Sequence, residues 1–320
     1  MNILITGAAG YIGSVTLKNL SKKSKLKIFG LDNYQGKKRF YQKNQLNILK
    51  YDYSDYKLVS SFLKKKKIDT VIHFAANTNV IDSINNPKLF YSDLKKTKKL
   101  IDTCISSNVK HFFFSSSAAV YKNSNKKIKE NFKTQPKSPY GIVKKKIENY
   151  LKKKANKNLR IYILRFFNVI GANSKLLAGQ IHDNSNLILN LYKSAFNNKN
   201  FYLYGNDNNK NKDESPIRDY FDVNIIPEVI YRLLFSNSKK KYEVYNLGSG
   251  KGLSVIKFIS KFENITKKKI NIYNKSKNKK EITISIADIT KLNKKIGRIS
   301  NNNLNNSMKT HISWLKKTNV

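Results

Sequence analysis

Thr6-Gly7-Ala8-Ala9-Gly10-Tyr11-Ile12-Gly13 follows a short apolar run, Asn2 to Thr6 (NILIT), and opens a stretch with helical character. Val15, Leu17 and Leu20 are its candidate buried positions. A strand, a turn with three glycines and a helix, in that order, make the phosphate-binding corner of a dinucleotide-binding unit. Gly7 permits the tight turn, Gly10 the close approach of backbone to a pyrophosphate, and Gly13 the close packing of the helix. The first amides of that helix, with Tyr11 and Ile12 in its first turn, supply donors and a favourable dipole for phosphate oxygens. The next apolar run, Lys25 to Asp32 (KLKIFGLD), ends in an acid about 20 residues past the turn, placed to accept hydrogen bonds from an adenosine ribose. A carboxylate there repels a 2′-phosphate, so the pattern predicts NAD rather than NADP.

Outward from this corner, strand and helix signals alternate. A helix is expected around Val59 to Lys67 and a buried strand at Thr70 to Ala76. Another helix follows at about Lys95 to Ser107, and an aromatic strand at His111 to Ser117. A long helix is expected over Ser138 to Lys154 and a strand over Arg160 to Val169. Such alternation predicts an α/β fold, a Rossmann-type doubly wound parallel sheet. After Gly171 the alternation weakens. The expected division is an NAD-binding domain over 1–171, with a returning segment at about 216–255. A smaller C-terminal α/β substrate domain would be made from 172–215 and 256–320.

The chain of 320 residues is long enough to bury a core without disulfides or metals. It is 40% hydrophobic and 12% aromatic, which excludes a disordered polymer. Cys104 is the single cysteine, so no disulfide framework forms within the chain. His73, His111, His182 and His311 are scattered without metal-ligand spacing, and no metal is predicted. No apolar run reaches the roughly 18 residues of a membrane span, and MNILITGAAG enters a strand at once without a basic leader. A cytoplasmic protein with no membrane partner is expected.

The formal net charge is +43, carried by 57 lysines against six arginines. Base readout and bidentate phosphate contacts favour arginine. Here lysine travels with abundant Asn, Ile, Tyr and Phe, and it sits in helical runs such as Lys64 to Lys67 and Lys144 to Lys146. That pattern reads as drift in base composition and solvated helix faces, so no specific nucleic-acid partner is expected. The positive field still draws anionic ligands in a salt-dependent way.

Three further residues carry chemistry with the glycine turn. Tyr140-Gly-Ile-Val-Lys144 opens the long helix and places Tyr140 and Lys144 on one face. A tyrosine that works as a base near pH 7 needs its pKa lowered by about 3 units, or about 4 kcal/mol. A neighbouring ammonium and a positive nicotinamide ring are the plausible sources, and Lys144 supplies the first. Ser117, at the end of the aromatic strand, is placed to hydrogen-bond the same hydroxyl.

Gly-x-x-Gly-x-x-Gly followed by SSSAAVY and Tyr-x-x-x-Lys resembles the extended short-chain dehydrogenase/reductases, and within them the UDP-glucose 4-epimerases. The matching stretches are TGAAGYIGS, LDNYQGKKR, DTVIHFAA, NVKHFFFSSSAAVY, PKSPYGIVK, LRFFNVIGA, IRDY and VYNLGSGKGLSV. They run from residue 2 to about residue 255, with weaker similarity through IADITKLNKKIG to Trp314. The resemblance implies a tightly held NAD, a UDP-hexose substrate and catalytic roles for Ser117, Tyr140 and Lys144. It implies that Asn33, Asp52, Ala75 and Ala76 line the cofactor, with Asp52 on the adenine. Asn168 and Asn186 would contact the sugar nucleotide, Arg218 its diphosphate, and Ser285 the gate beside the C2 substituent. A homodimer is common in the family. Arg218 also stands out on its own, because a guanidinium grips a diphosphate in a bidentate way that lysine cannot copy. A structural ion pair with Asp219 or another acid is the alternative for it.

Several positions depart from the family pattern. A lysine expected shortly after HFAA is Thr78 or a neighbour. The helix motif Asn-Val-x-Gly-Thr reads Asp93-Leu94-Lys95-Lys96-Thr97, and the glycine after Val-Tyr is Lys122. Asp-Gly-Thr before Arg218 reads Asp213-Glu214-Ser215. The late Arg-x-Gly-Asp reads Asn278-Lys279-Lys280-Glu281, where Lys277 or Lys279 would stand in as a point charge. The function these residues imply is epimerisation at C4 of a UDP-hexose, with UDP-glucose, UDP-galactose and their N-acetyl forms as candidates. The alternative is another sugar-nucleotide enzyme: a dehydratase, a decarboxylase or a UDP-uronate epimerase. Elimination needs an acid just after the strand serine, and Ala118 and Ala119 stand there.

Overall fold

Alternate residues of the central strands enter two different cores. In the first strand Ile3 and Ile5 pack to one side and Leu4 to the other; Ile72 and Val71, Phe113 and Phe112, Leu164 and Ile163 divide in the same way. A sheet buried on both faces reads as continuous apolar runs, which is what NILIT and HFFF are. The computed structural model describes residues 1–35, 48–173, 178–180, 186–204, 215–275, 283–299 and 303–318.

In chain order the first half contains β1 (Asn2–Thr6), α1 (Tyr11–Leu20), β2 (Lys27–Leu31), β3 (Ile48–Leu49) and α2 (Tyr56–Lys65). It continues with β4 (Thr70–His73), α3 (Val80–Asn85), α4 (Pro87–Ser106), β5 (His111–Ser117), α5 (Pro139–Lys154) and β6 (Arg160–Phe166). Then come β7 (Asn168–Ile170), α6 (Leu187–Asn197), β8 (Phe201–Tyr204), β9 (Ile217–Asp222), α7 (Ile226–Leu234) and β10 (Tyr242–Leu247). The last elements are β11 (Gly252–Ser254), α8 (Val255–Thr266), β12 (Ile272–Lys275), β13 (Ile284–Ser285), α9 (Thr290–Ile296) and α10 (Leu304–Lys317).

The large sheet is seven-stranded and parallel, in the order β10-β6-β5-β4-β1-β2-β3. Residues of α1, α7 and α9 (Val15, Ile230, Leu292) join the core on one face, and residues of α2, α4 and α5 (Val59, Leu100, Ile147) the core on the other. The strand order reverses between β1 and β4, and ligands of such sheets bind outside the carboxyl ends of the strands at that switch. A small sheet, β11-β9-β13 with β7 also paired to β9, and a two-stranded sheet, β12-β8, make up the rest. α6, α8 and α10 share a third core around Leu191, Phe262 and Trp314.

Three element boundaries differ from expectation. The helix expected from Lys95 begins at Pro87, which takes the first-turn position proline favours. The strand expected to reach Ala76 ends at His73, because the chain turns away where Gly7 presses on it: a Cβ on Gly7 would lie 2.6 Å from the Ala75 nitrogen. The strand expected over Arg160 to Val169 is two strands. Phe167 breaks it, donating its amide to Leu247 O and burying its ring with Val120, Tyr121 and Ile128. β6 stays in the large sheet while β7 leaves it for β9.

Candidate active site

The glycine turn is built to stay tight. Gly7 has φ +70°, a conformation that costs an L side chain strain, and a Cβ on Gly13 would lie 2.0 Å from Gly7 O. The helix that follows is open at its start: the N-cap Gly10 brings no side-chain bond to α1. Side-chain oxygens of Asp55, Asn79, Ser138, Asn186, Ser254 and Asn303 close α2, α3, α5, α6, α8 and α10. The first-turn amides of α1, with Tyr11 and Ile12 half-buried beside them, are therefore a donor set suited to a pyrophosphate. This fits the dinucleotide that the fold implies.

Asp32, 3% exposed just past β2, holds that turn in place. Its carboxylate accepts from the Ala9 amide at 3.0 Å and the Tyr34 amide at 2.8 Å. Sequence reasoning placed Asp32 at the ribose and missed this brace. Asn33 and Asp52 are brought together, the Asn33 amide donating to the Asp52 carboxylate. Burial raises the Asp52 carboxyl, but bonds from Ser54 and Asn33 and the Lys96 charge outweigh it and hold it below the usual range. Tyr11 turns across the fold, its hydroxyl donating to Gly171 O at 2.6 Å.

Tyr140 and Lys144 line one cavity, and Ser117 stands at the carboxyl end of β5, where the start of α5 packs against the turn that follows it. Ser138 caps α5 by accepting from the Gly141 amide at 3.1 Å, which sets where the helix begins. Ser117 starts a single 3-10 turn, Ala118 to Val120, and accepts from the Ala119 amide at 3.2 Å. Gly141 lets α5 sit against that turn, since a Cβ there would lie 2.5 Å from Ala119 O. Its lack of a side chain is what lets the first turn of α5, which carries Tyr140, sit against the turn that Ser117 starts, a signal present in Tyr-Gly-Ile-Val-Lys but not used in reading it.

Lys144 is 4% exposed. Its ammonium donates to Ser115 O at 2.7 Å and lies 5.6 Å from the centre of the Tyr140 ring. Burial pushes it down to about 8, against the opposing charges of Asp93 and Glu148. Tyr140 and Lys144 line one cavity with Ala75, Ala76, Asn77 and Asp93. His73 forms its floor as a neutral ring, its Nδ1 paired with the Thr6 hydroxyl at 2.7 Å and its Nε2 with that of Thr97 at 3.2 Å. Burial, with Lys144 nearby, lowers it to about 3. Beneath them Glu148 and Arg165 form a buried bidentate pair (2.9 and 2.7 Å), and Ser116 donates to the same carboxylate at 2.6 Å. This pair ties α5 to β5 and β6.

The expected sugar-nucleotide residues fall on the small sheet, with one exception. Ser285 stands opposite Arg218 in the β13–β9 pairing and Asn168 opposite Tyr220 in β7–β9. By strand alternation all three face the same way. Asp219 faces the other way and is taken up elsewhere: it accepts from Ser249 (amide and hydroxyl), Gly250 and Ala287. Arg218 donates to Ile217 O and Thr283 O at 3.1 and 3.3 Å. Asn186 is the cap of α6, accepting from the Leu189 amide at 3.2 Å and donating to Gln180. Asp213, Glu214 and the stretch with Lys277 and Lys279 lie outside the described residues.

A parallel sheet with an open glycine turn at its switch point, and a serine, tyrosine and buried lysine gathered beside it, defines a nicotinamide-dinucleotide fold of the short-chain dehydrogenase/reductase class. The chain belongs to the NAD dependent epimerase/dehydratase family, whose model matches residues 3–248. It is 33% identical over 280 residues to a UDP-glucose 4-epimerase of Lactobacillus helveticus, covering 83% of this chain and 82% of that one. Its fold is similar to the UDP-glucose-4-epimerase of Stenotrophomonas maltophila, solved with NAD and formylated UDP-arabinopyranose: TM-score 0.92, 26% identity, 100% of this chain and 99% of that one. The UDP-Glc/GlcNAc 4-epimerase of Campylobacter jejuni matches with TM-score 0.82 and 28% identity, covering 99% of each chain.

Proposed function

We propose that this protein is an NAD-dependent isomerase that epimerises a UDP-hexose at C4 through a 4-keto intermediate. The observation that carries the reading is a cavity lined together by Tyr140, buried Lys144, Ala75 and Ala76, beside the open glycine turn. The α1 amides, Asp32, Asn33 and Asp52 hold the cofactor. NAD, when bound, supplies a hydride acceptor for sugar C4 and a donor for the return. Tyr140 takes the proton of the 4-hydroxyl and gives it back after the keto sugar has turned. Ser117 hydrogen-bonds the same oxygen, and the Lys144 ammonium favours the phenolate. No net redox change results. Arg218 grips the diphosphate, Asn168 and Asn186 line the sugar nucleotide, and Ser285 gates the C2 substituent.

The same reading assigns 1–171 and about 216–255 to the cofactor domain. This is supported by the place of β10 in the large sheet. It assigns 172–215 and 256–320 to the substrate domain, although α9 packs on the cofactor side through Leu292. A homodimer through α3 and α4 is supported by the exposed Ile81 (56%), Ile84 and Leu89. Among the described residues no helix is long and apolar enough to cross a membrane.

Incubation with UDP-glucose, UDP-galactose and their N-acetyl forms, with products resolved by chromatography, tests the reading. Interconversion of a 4-epimer pair is expected; loss of water from the sugar, or no turnover of any of the four, overturns it.

A further inference from the structure

The cavity contains a charge that the family pattern lacks. Where the helix motif calls for an asparagine, α4 presents Asp93, 8% exposed and lining the same cavity as Tyr140 and Lys144. The partners shown for its side chain are donors: the Asn77 amide at 2.8 Å, the Asn77 side chain at 3.0 Å and the Tyr53 hydroxyl at 3.4 Å. Donors on two sides hold it as an acceptor. A carboxylate buried in the protein acts more strongly on its neighbours than one in water.

We infer that Asp93 is a positioning residue for proton transfer at this site: clamped by Asn77 and Tyr53, its carboxylate supplies the negative charge that keeps the buried Lys144 ammonium protonated beside Tyr140. The inference rests on the proposed role of Tyr140 and Lys144.

Other groups pack around Lys144. Glu148, one turn along α5, also bears a negative charge, but it is committed to Arg165 and Ser116. From β4, His73 is neutral; from β5, Ser115 offers only a carbonyl oxygen, and Phe114 an apolar ring. Asp52 and Lys96 face one another nearer the protein surface. Asp93 is thus the buried carboxylate beside Lys144 that is not already paired with a guanidinium. Its effect on Lys144 runs in the expected direction, against the lowering by burial.

Removing a negative charge eases the loss of every proton nearby. The Lys144 ammonium lies 5.6 Å from the Tyr140 ring, so loss of the Asp93 charge is expected to move the ionisations of both groups to lower pH. Asp93→Asn, which keeps shape and acceptor, is therefore expected to move both limbs of the kcat/KM pH profile down by about one unit, a tenfold change in proton affinity. A second readout needs no turnover. The phenolate absorbance that wild type has and Tyr140→Phe lacks, followed against pH in the cofactor-free protein, is expected to move down by a similar amount when Asp93→Asn is introduced. Asp93→Ala, which also loses the hydrogen bonds, is expected to show the same shifts at a lower melting temperature. Profiles that superimpose on wild type in both variants, or that move up, overturn the inference, even if kcat or stability falls. If no epimerase activity is found, the absorbance titration still decides the role of Asp93, so the two failures are separable.

Discussion

The Lys144 ammonium donates to Ser115 O, two residues before Ser117, at 2.7 Å. This bond crosses from α5 to β5 and pins the helix that carries Tyr140 to the strand that carries Ser117. With Gly141 pressed on the turn after Ser117, it sets the spacing of all three groups at once.

Tyr140→Phe deletes one hydroxyl and keeps the ring. Turnover is expected to fall by about 10²- to 10⁴-fold, the usual scale of positioned acid–base groups, while NAD affinity stays unchanged. Retention of more than about a tenth of the activity would remove Tyr140 from its role. Lys144→Ala is expected to impair turnover and raise the pH optimum, since the phenolate loses its cation. In the wild-type protein burial lowers the ammonium to about 8, so activity is expected to decline above that pH.

Gly141→Ala tests the approach of α5 to the turn after Ser117. The added carbon would stand 2.5 Å from a backbone oxygen, so the helix must move rather than a flexible side chain. A displacement near 1 Å at an active site costs about 100-fold in rate. Steady-state kinetics is expected to show a fall in kcat approaching that size, with stability lowered by about 1–3 kcal/mol. Unchanged kcat would show that the close approach does not position Tyr140.

Asp32 is buried and acidic, and the proposed cofactor site puts it beside the adenosine ribose, where the 2′-phosphate of NADP would be repelled. Calorimetric titration is expected to show NADP binding at least about tenfold weaker than NAD, a difference of about 1.4 kcal/mol. Equal affinities would refute the assignment of Asp32 to the ribose.

Ser285 shares a sheet face with Arg218, so its side chain is expected to border the sugar of a nucleotide whose diphosphate that arginine is proposed to grip. A group of methylene scale in a pocket is worth about 1–3 kcal/mol. Turnover of UDP-glucose and UDP-N-acetylglucosamine within about 100-fold of each other in kcat/KM is expected. Ser285→Tyr should depress the N-acetyl reaction selectively, and equal loss of both would place Ser285 outside the pocket.

His73 and His311 are buried and neutral, lowered by burial to about 3 and about 4. The unfolded chain takes up protons on them near pH 6.5, where the folded protein does not. Their contribution is present above that pH and lost as pH falls from 6.5 toward 4 and 3. Between pH 7 and 5 each is expected to remove about 2 kcal/mol of stability, read as a falling urea midpoint. A midpoint that holds steady to pH 5 would mean that both rings are charged in the folded protein.

Most of the strands and helices through residue 166 were legible because each carried its own period or its own punctuation, whereas the short β3 and α3 were not anticipated. NILIT and HFFFSSS are apolar throughout, as strands covered on both faces must be, and Ser138-Pro139 marks the start of α5 as a cap followed by a first-turn proline. The Tyr140–Lys144 spacing is local as well, since residues four apart share a helix face whatever lies around them. The break at Phe167 was not legible, because it depends on a backbone bond to Leu247, 80 residues further along the chain.

By itself, the sequence determined the parallel α/β fold, the glycine turn and the identity of the catalytic candidates, all of which depend on short-range stereochemistry. Tertiary structure alone decided how they act together. Asp32 reaches Ala9 because β2 lies beside β1; Arg218, Ser285 and Asn168 share a face because β7 and β13 both pair with β9. Asp93 and Lys144, 51 positions apart, line one cavity because α4 and α5 pack against the same face of the sheet. Charges act through distance in space, and the burial that strengthens them exists only once the layers have closed.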